Sequence, residues 1–397
     1  ITEFQAGLVE TEKIIDKVLN LISGRLGLDH NRVLGSRYSL PLITRYVKQR
    51  GGLLKEQSER DLLLYWYVHT LLWGRYSGST ESYLNRDLEL IEGVSPSEWK
   101  PGLDALIGEL RTLRGDLKLS EADFKGSTRG ARFYPLLYMM TRVSHAHDWG
   151  TGDELNASLL GSLNCLQIHH IFPKALLREH GYTKAEINAI ANFTFLTQET
   201  NLRVSRRDPA EYIPAFEKET PGAIATHWIP MDPELWKVEN YLEFLAERRK
   251  LLADSANAFL DQLRAGSLPD VTVDSDYLDR VAAAPGGFED EDEEEWVRKA
   301  NTWVISKGCA SGDLLYDLTD QAIGDSVAVL DLAWPDGLQE GLSQPVALMI
   351  EEDEELVSTV RDYGFRCFTT VKDLKSYVKK EVLAQSNNNH DDEEHVA

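Results

Sequence analysis

The sequence is poor in cysteine and has no long apolar run, and both shortages limit what the protein can be. Three cysteines are spread over 397 residues, at Cys165, Cys309 and Cys367, and none belongs to a Cys-x-x-Cys pair. Such usage is typical of reduced thiols in a cytoplasmic protein rather than of a disulfide framework. No apolar stretch reaches about 18 residues, so the sequence predicts no membrane span. It also shows no signal peptide.

Positive charge is scarce as well, but the shortage belongs mainly to one part of the chain. The net charge is −23, and residues 271–397 contribute −19 of it, from 29 acidic and 10 basic residues. Residues 1–270 therefore carry only −4. Because a local basic patch is enough to contact nucleic acid, the acidity of the whole chain does not exclude a DNA-binding protein.

Apolar residues recur at helical spacing through the first third of the chain, which predicts a bundle of helices. We expect Gly24 to end the first helix and Ser58 to cap a helix that is apolar nearly all round and buried. Further helices are expected at about 40–49, 97–113 and 132–145. A long helix at about 238–263 should pack through its apolar side, formed by Tyr241, Leu242, Leu245, Leu251 and Leu252.

A chain of this length holds two or three domains. The predicted fold is mainly α with a small ββα core, plus a C-terminal α/β module. The run EDEDEEE at 289–295 indicates an exposed acidic linker, and the last residues have the composition of a disordered tail. The predicted divisions are a helical region at 1–148, a motif-bearing domain at 149–268, the linker at 269–296, the α/β module at 297–384 and the tail at 385–397.

The motif lies between Gln167 and Pro209. Two adjacent histidines, His169 and His170, precede Ile-Phe-Pro, and Asn192 opens a second strand-like run, Asn-Phe-Thr-Phe-Leu-Thr. Asn201 follows nine residues after Asn192, at the start of an expected helix. Phosphodiester hydrolysis needs a base for the attacking water, a role suited to histidine, and a cation on the phosphate. Because a strand directs neighbouring side chains to opposite faces, we expect the two histidines to divide these tasks.

This pattern resembles the HNH (ββα-metal) nucleases, and most of all the nuclease domain of GmrSD-type modification-dependent restriction enzymes and the related SspE proteins. The resemblance implies that His170 is the general base and that Asn192 holds its loop. It also implies that His169 and Asn201 are metal ligands. Many relatives have an acidic residue where His169 stands. Mg²⁺ is the expected metal, but Mn²⁺ or another transition metal stays open because imidazole binds Mg²⁺ less readily than carboxylate does.

Basic residues surround the motif and are candidates for contacting DNA phosphates, which arginine binds in a bidentate manner. They are Lys174, Arg203, Arg206 and Arg207. A solvated charged face is the alternative interpretation of these residues.

A third histidine-rich segment, with His145, His147 and Asp148, follows an expected helix. Because residues i and i+2 of a helix do not share a face, we interpret these three as polar residues at a helix end. We do not expect them to be metal ligands. A structural zinc site needs four closed ligands, and the motif offers two.

The sequence therefore predicts a metal-dependent DNA endonuclease or nickase, the effector half of an anti-phage restriction protein. The alternative is a non-catalytic DNA-sensing or interaction module on a degenerate HNH scaffold. The N-terminal helices resemble the tail of the ParB-like domain that precedes the nuclease in GmrSD proteins, and the chain begins at Ile1. We therefore expect a missing N-terminal nucleotide-binding domain. DNA is the expected partner, homodimerisation stays open, and the expected location is the cytoplasm. The C-terminal module is interpreted as non-catalytic.

Overall fold

A computed structural model gives the fold as two compact units, Ile1–Gly286 with Asp320–Asp325, and Gly287–Thr319 with Ser326–Ala397. The protein is mainly helical with two small sheets, so the predicted fold class is confirmed. The structure describes residues 2–28, 36, 38–76, 80–95, 98–125, 133–155, 166–268, 291–319, 326–339, 343–350, 352 and 354–382.

The described residues of the first unit form eleven α-helices and one two-stranded sheet. Its helices are α1 Thr2–Leu26, α2 Ser39–Gln49, α3 Gln57–Leu72, α4 Thr80–Glu92, α5 Trp99–Arg114, α6 Tyr134–Val143, α7 Lys174–Glu179, α8 Lys184–Ile187, α9 Gln198–Val204, α10 Pro209–Glu219 and α11 Tyr241–Ala265. The strands are β1 Gln167–His170 and β2 Phe193–Leu196. Short 3₁₀ turns lie at Glu121–Lys125, Ile190–Asn192, Ile224–His227, Pro233–Trp236 and Val238–Asn240.

One hydrophobic core runs through this unit, from Ile14 on α1 to Leu268 just after α11. Helix α3 is its centre: all residues from Asp61 to Leu72 are buried, as the sequence predicted. The core includes residues from both the predicted helical region and the predicted motif-bearing domain. The two regions on either side of residue 148 therefore fold together around a shared interior.

Two helix ends differ from the prediction. Helix α1 continues through Gly24 to Leu26, and the left-handed position that suits glycine is Gly27, with φ +67°. A Cβ at Gly27 would lie 2.5 Å from Cβ of Arg142, so this close approach also requires glycine there. Ser58 is not the cap of α3, since the helix begins one residue earlier. Gln57 there donates a hydrogen bond to the Leu268 carbonyl at 2.9 Å.

Helix α11 crosses the unit as expected, but its buried face was only partly predicted. Leu242 and Leu251 are exposed, at 46% and 39%. Their places on the buried side are taken by residues including Phe244 and the charged Arg248. Hydrophobic periodicity does not predict that an arginine lies on the buried face of a helix. The burial of Arg248 depends on carbonyl partners elsewhere in the chain.

The second unit is a small α/β module with a four-stranded sheet in the order β3-β4-β5-β6. Its elements are α12 Glu291–Ile305, β3 Asp313–Thr319, β4 Ser326–Trp334, β5 Val346–Leu348, α13 Glu354–Asp362, β6 Arg366–Phe368 and α14 Val371–Tyr377. The β5–β6 pair is parallel and the other two pairs are antiparallel. Residues of α12 and α14 join one core cluster and residues of α13 join another, on the opposite face of the sheet.

The predicted strands at 327–333, 345–350 and 365–369 and the helix at 354–362 are present with small shifts. Strand β3 was missed. Helix α12 begins at Glu291, inside the segment interpreted as an acidic linker, and α14 ends at Tyr377, followed by a wider turn at Val378–Val382. The rest of that linker, 269–290, and the predicted tail lie outside the described residues. Within the described part of the chain, none of the helices has the length and apolar character needed to span a membrane.

Candidate functional site

The motif folds into two short antiparallel strands and a helix. Strand β1 pairs with β2 so that His169 lies opposite Thr194 and His170 opposite Phe193. Helix α9 follows β2 directly, and Thr197 caps its N-terminus by accepting a hydrogen bond from the Thr200 amide. This is the ββα order that the sequence predicted.

His169 and Asn201 meet directly, although they are 32 residues apart. The Nδ1 atom of His169 lies 2.7 Å from Oδ1 of Asn201. The Nδ2 atom of Asn201 donates to Oε1 of Gln167 at 2.8 Å. Gln167 and His169 point to the same face of β1, since they are two residues apart on a strand. The fold therefore brings the two predicted ligands together where β1 packs against α9.

Burial sets the protonation state of His169. Desolvation lowers the pKa of this imidazole to about 4, although the Asn201 contact acts in the opposite direction. The ring is therefore neutral near pH 7, which is the form that binds metals. The Nε2 atom is buried without a hydrogen-bond partner among the described residues. Because Oδ1 of Asn201 is an acceptor, Nδ1 of the neutral ring carries the proton and donates this hydrogen bond. Binding of a metal through Nδ1 would require the proton to move to Nε2.

The spacing of these two hydrogen-bonded atoms is also compatible with two ligands of one divalent ion in an open site. Adjacent ligands of an octahedral ion with bonds of about 2.1 Å are about 3 Å apart, close to the 2.7 Å between Nδ1 of His169 and Oδ1 of Asn201. No group of three or more His, Cys, Asp or Glu side chains with metal-binding geometry occurs in the described ranges. The remaining ligands would then be water or substrate oxygens.

His170 occupies the other face of the strand. Its Nε2 atom lies 3.3 Å from Oδ1 of Asn188, and its ring contacts Phe193 edge to face. The residue is only 3% exposed. Asn188 was not singled out from the sequence, because its role depends on the loop between α8 and β2 turning back towards β1. The two histidines are thus separated by face, as expected for a division of tasks.

Asn192 holds the loop that follows the histidines. Its Oδ1 atom accepts a hydrogen bond from the Phe172 amide at 2.8 Å, and its Nδ2 atom donates to the Phe172 and Ile187 carbonyls. The side chain is fully buried. These contacts fix the chain immediately after His170, which is the positioning role that the family resemblance implied.

Asp148, interpreted from the sequence as a polar residue at a helix end, is instead a buried connection to the motif. Its carboxylate accepts hydrogen bonds from the amides of Gly150, Thr151 and Thr197, and from the hydroxyls of Thr197 and Thr200. Burial alone would raise the pKa of Asp148, but the hydrogen bonds outweigh it and lower the pKa. Asp148 thereby fixes the first turn of α9, the helix that carries Asn201.

The other two residues of that segment lie nearer the surface. His145 Nδ1 is 3.1 Å from Oε2 of Glu154, and His147 Nε2 is 3.8 Å from Oε1 of the same carboxylate. The carbonyl of His147 accepts a hydrogen bond from His227, whose other ring nitrogen bonds Thr194 on β2. Through His227, the segment is therefore linked to Thr194 of β2 by hydrogen bonds.

Arg203 and Arg207 are exposed, but both have partners within the protein. Arg203 pairs with Glu219 at 2.5 Å and donates to the Gly150 carbonyl, while Arg207 donates to the Arg203 carbonyl at 2.7 Å. Both guanidinium groups lie over the ring of Phe216, and together with Ala215 and Glu219 these residues line a pocket of about 230 Å³. The structure therefore brings two of the four predicted cations to one pocket.

The other two predicted cations occupy different positions. Arg206 is exposed on the turn after α9, and Lys174 is half-buried at the start of α7. Both make further contacts within the protein.

Comparison with known proteins identifies little. No family model matches the chain. A stretch of 156 residues, 39% of the chain, is 25% identical to an uncharacterized protein of Methanocaldococcus jannaschii. The chain spans about a quarter of the length of that relative. This similarity brings no activity, substrate or partner with it.

Proposed function

We propose that the protein is a metal-dependent DNA endonuclease or nickase. The observation that carries the proposal is the 2.7 Å approach of His169 Nδ1 to Asn201 Oδ1 on a strand, strand and helix element. In this proposal His169 and Asn201 hold a divalent metal, Mg²⁺ or Mn²⁺. The metal, when bound, would stabilise negative charge on the scissile phosphate and the leaving oxygen.

His170 is the proposed general base, which takes the proton of the attacking water. Asn188 orients its ring through Nε2, and Asn192 fixes the loop that follows it. The cations of α9 and its flanking turn are proposed to contact the DNA backbone. Contacts of this kind position a duplex without reading its sequence.

The proposed biological setting is an anti-phage restriction system that acts on modified DNA. Its support is the sequence resemblance of the motif to GmrSD-type and SspE proteins. A preceding nucleotide-binding domain, a cytoplasmic location and a homodimer belong to the same proposal.

A supercoiled plasmid tests the activity directly. We expect nicked or linear product with Mg²⁺ or Mn²⁺, none with EDTA, and a rate about 10²–10⁴-fold lower for His170→Ala. His180→Ala is the matched control, since His180 is exposed on the same domain. Equal cleavage by His170→Ala and the control would show that His170 is not the base. Plasmids with and without modified bases extend the assay to the substrate.

The second candidate is a non-catalytic DNA-sensing or interaction module. The observation that favours it is burial, since His169 and His170 are only 4% and 3% exposed. This function predicts DNA binding that does not depend on divalent metal and no cleavage under any of the plasmid conditions.

A further inference from the structure

Helix α12 of the second unit presents alternating aromatic and basic side chains along one face. Trp296, Lys299 and Trp303 lie three or four residues apart, which places them on one side of a helix, and Lys307 continues this line just beyond its end. Trp296 is 48% exposed. The indole of Trp296 does not belong to the hydrophobic core of the unit, so packing in that core does not explain its position.

Helix α14 and the turn that follows it add two cations near Trp303, Lys375 and Lys379. The ammonium groups of Lys307, Lys375 and Lys379 lie 5.7, 5.3 and 5.8 Å from the ring centroid of Trp303. Three lysines from two segments therefore surround one indole.

A second aromatic pair packs against the same hydrophobic cluster as Trp303. The guanidinium of Arg366 is 4.7 Å from the ring centroid of Tyr377, and Tyr377 contacts Phe368 with 5.2 Å between centroids. We call the complete set the basic aromatic surface: Trp296, Lys299, Trp303, Lys307, Arg366, Lys375, Tyr377 and Lys379.

This surface stands out from the charge of its surroundings. Residues 271–397 carry a net charge of −19, yet no carboxylate among the described residues forms an ion pair with Lys307, Lys375, Lys379 or Arg366. Lys299 pairs with Glu295 at the acidic end of α12. Cations gathered around aromatic rings in an otherwise acidic unit indicate an anionic partner that also has flat, stackable groups.

We propose that the basic aromatic surface binds single-stranded nucleic acid. Phosphates would contact the lysines and Arg366, and bases would stack on the indole and phenol rings, a combination that binds single strands with little sequence preference. Lys307 and Lys379 are exposed on long stems, so their ammonium groups can move from the ring to a phosphate when a base takes the ring face. Exposed cation–π contacts are weak enough to exchange in this way.

An acidic peptide is the other anionic partner to consider. It would use the cations but leave the aromatic faces without a role, and the exposed Trp296 would remain unexplained. Duplex DNA is less suitable as well, because its bases are stacked within the helix. The proposal therefore commits to a single strand, of the kind that nicking or unwinding of a duplex exposes.

Binding by the full chain is measured with a fluorescent oligothymidylate in EDTA, so that metal-dependent cleavage plays no part. Lys307→Glu and Lys379→Glu should each weaken binding several-fold and reduce the slope of log K against log salt by about 0.7 or more. Arg361→Glu is the matched control, because α13 lies on the opposite face of the sheet. Equal effects of the three variants would overturn the proposal.

The aromatic contribution has a separate signature. Trp296→Ala removes an exposed ring, so it should lower affinity about tenfold while leaving the salt slope unchanged. Oligonucleotides carrying 5-iododeoxyuridine should photo-crosslink to peptides that contain Trp296, Trp303 or Tyr377. Crosslinks confined to residues 1–286 would overturn the proposal, as would equally tight binding of polyglutamate. Because none of these measurements uses cleavage, failure of the nuclease proposal would leave this test intact.

Discussion

The carboxylate of Asp148 holds Thr197 at two points, through its backbone amide at 3.0 Å and its hydroxyl at 2.9 Å. Thr197 is the N-cap of α9, so a loop that precedes the motif by about twenty residues determines where Asn201 stands. The candidate site is thus built from two segments, the ββα element and the turn after α6.

Asp148→Asn should destabilise the first unit by about 2–4 kcal/mol. The asparagine side chain has one acceptor oxygen, whereas the Asp148 carboxylate offers two oxygens to five donors. Its NH₂ group would also face N–H and O–H groups that are themselves donors, so hydrogen bonds would be lost. Thermal and urea unfolding measure this difference. Asp153→Asn, an exposed change in the same loop, should alter stability by less than about 0.5 kcal/mol. Matching midpoints for the two variants would refute the role of Asp148.

Asn201→Asp should strengthen the response to Mg²⁺. A carboxylate is a better Mg²⁺ ligand than an amide oxygen, and the Gln167 amide can reorient to donate to it. Cleavage titrated with metal should reach half its maximum at a lower Mg²⁺ concentration, with a smaller change for Mn²⁺. The control is Gln198→Glu, which adds the same charge at an exposed position of α9. A change shared by both variants would reflect charge alone rather than ligation.

Glu219→Gln should make DNA binding tighter and more dependent on salt. Glu219 neutralises Arg203 in the pocket over Phe216, so its removal releases a guanidinium for phosphate. One additional phosphate contact increases the salt slope by about 0.9 on duplex DNA. Glu211→Gln, on the exposed side of the same helix, is the control with the same charge change. If both variants gain equally, Glu219 has no specific effect on Arg203.

Stability should fall as the pH is lowered from about 6.5 towards 4. Burial lowers the pKa of His169 and His227 to about 4 and that of His69 to about 3. The unfolded chain therefore binds protons in this range before the folded chain does, so stability is full above pH 6.5 and is lost on acidification. His69→Leu should flatten the dependence of the unfolding midpoint on pH, whereas the exposed His180→Leu should not. An unchanged pH profile for His69→Leu would contradict this account.

A chain that ends at Gly286 should keep the first unit folded, because its core closes at Leu268. The carbonyl of Leu268 accepts hydrogen bonds from Arg25 at 2.7 Å and from Gln57 at 2.9 Å, and Arg25 also pairs with the buried Asp61. A chain that ends at residue 262 lacks this closure and should unfold at lower temperature. Circular dichroism melts compare the two chains. Equal melting temperatures would show that Leu268 contributes little to the core.

The ββα element was predictable because its signals are local. The sequence predicted His169 on a strand, Asn192 at the start of a second strand and Asn201 at the start of a helix. The structure places them on β1, in the turn just before β2 and within α9, which begins three residues before Asn201. The helices of the first unit followed from periodicity for the same reason. Their exact ends did not, since Gly27 is set by the approach of Arg142 and the start of α3 by the carbonyl of Leu268.

The supporting residues were not predictable because their partners are distant in sequence. Asp148 reads as one polar residue in a polar turn, and only the fold shows that it meets Thr197, 49 residues later. Glu219 reads as a surface acid until α10 brings it to Arg203. Sequence patterns identify groups that chemistry requires, whereas buried hydrogen bonds between distant segments depend on tertiary structure.

The contacts of Arg248 with the site have a consequence for the folding of the protein during its synthesis. The Arg248 guanidinium is fully buried and donates to the carbonyls of Ala191, Phe193 and His227, which join α11 to the start of the site's second strand and to the turn at Ile224–His227. Arg248 is synthesised 55 residues after Phe193, roughly 3 to 11 seconds later at ribosomal speed. A nascent chain thus carries the complete histidine motif before the helix that fixes it exists. The contacts that Arg248 makes with the site can therefore form only after α11 has been synthesised.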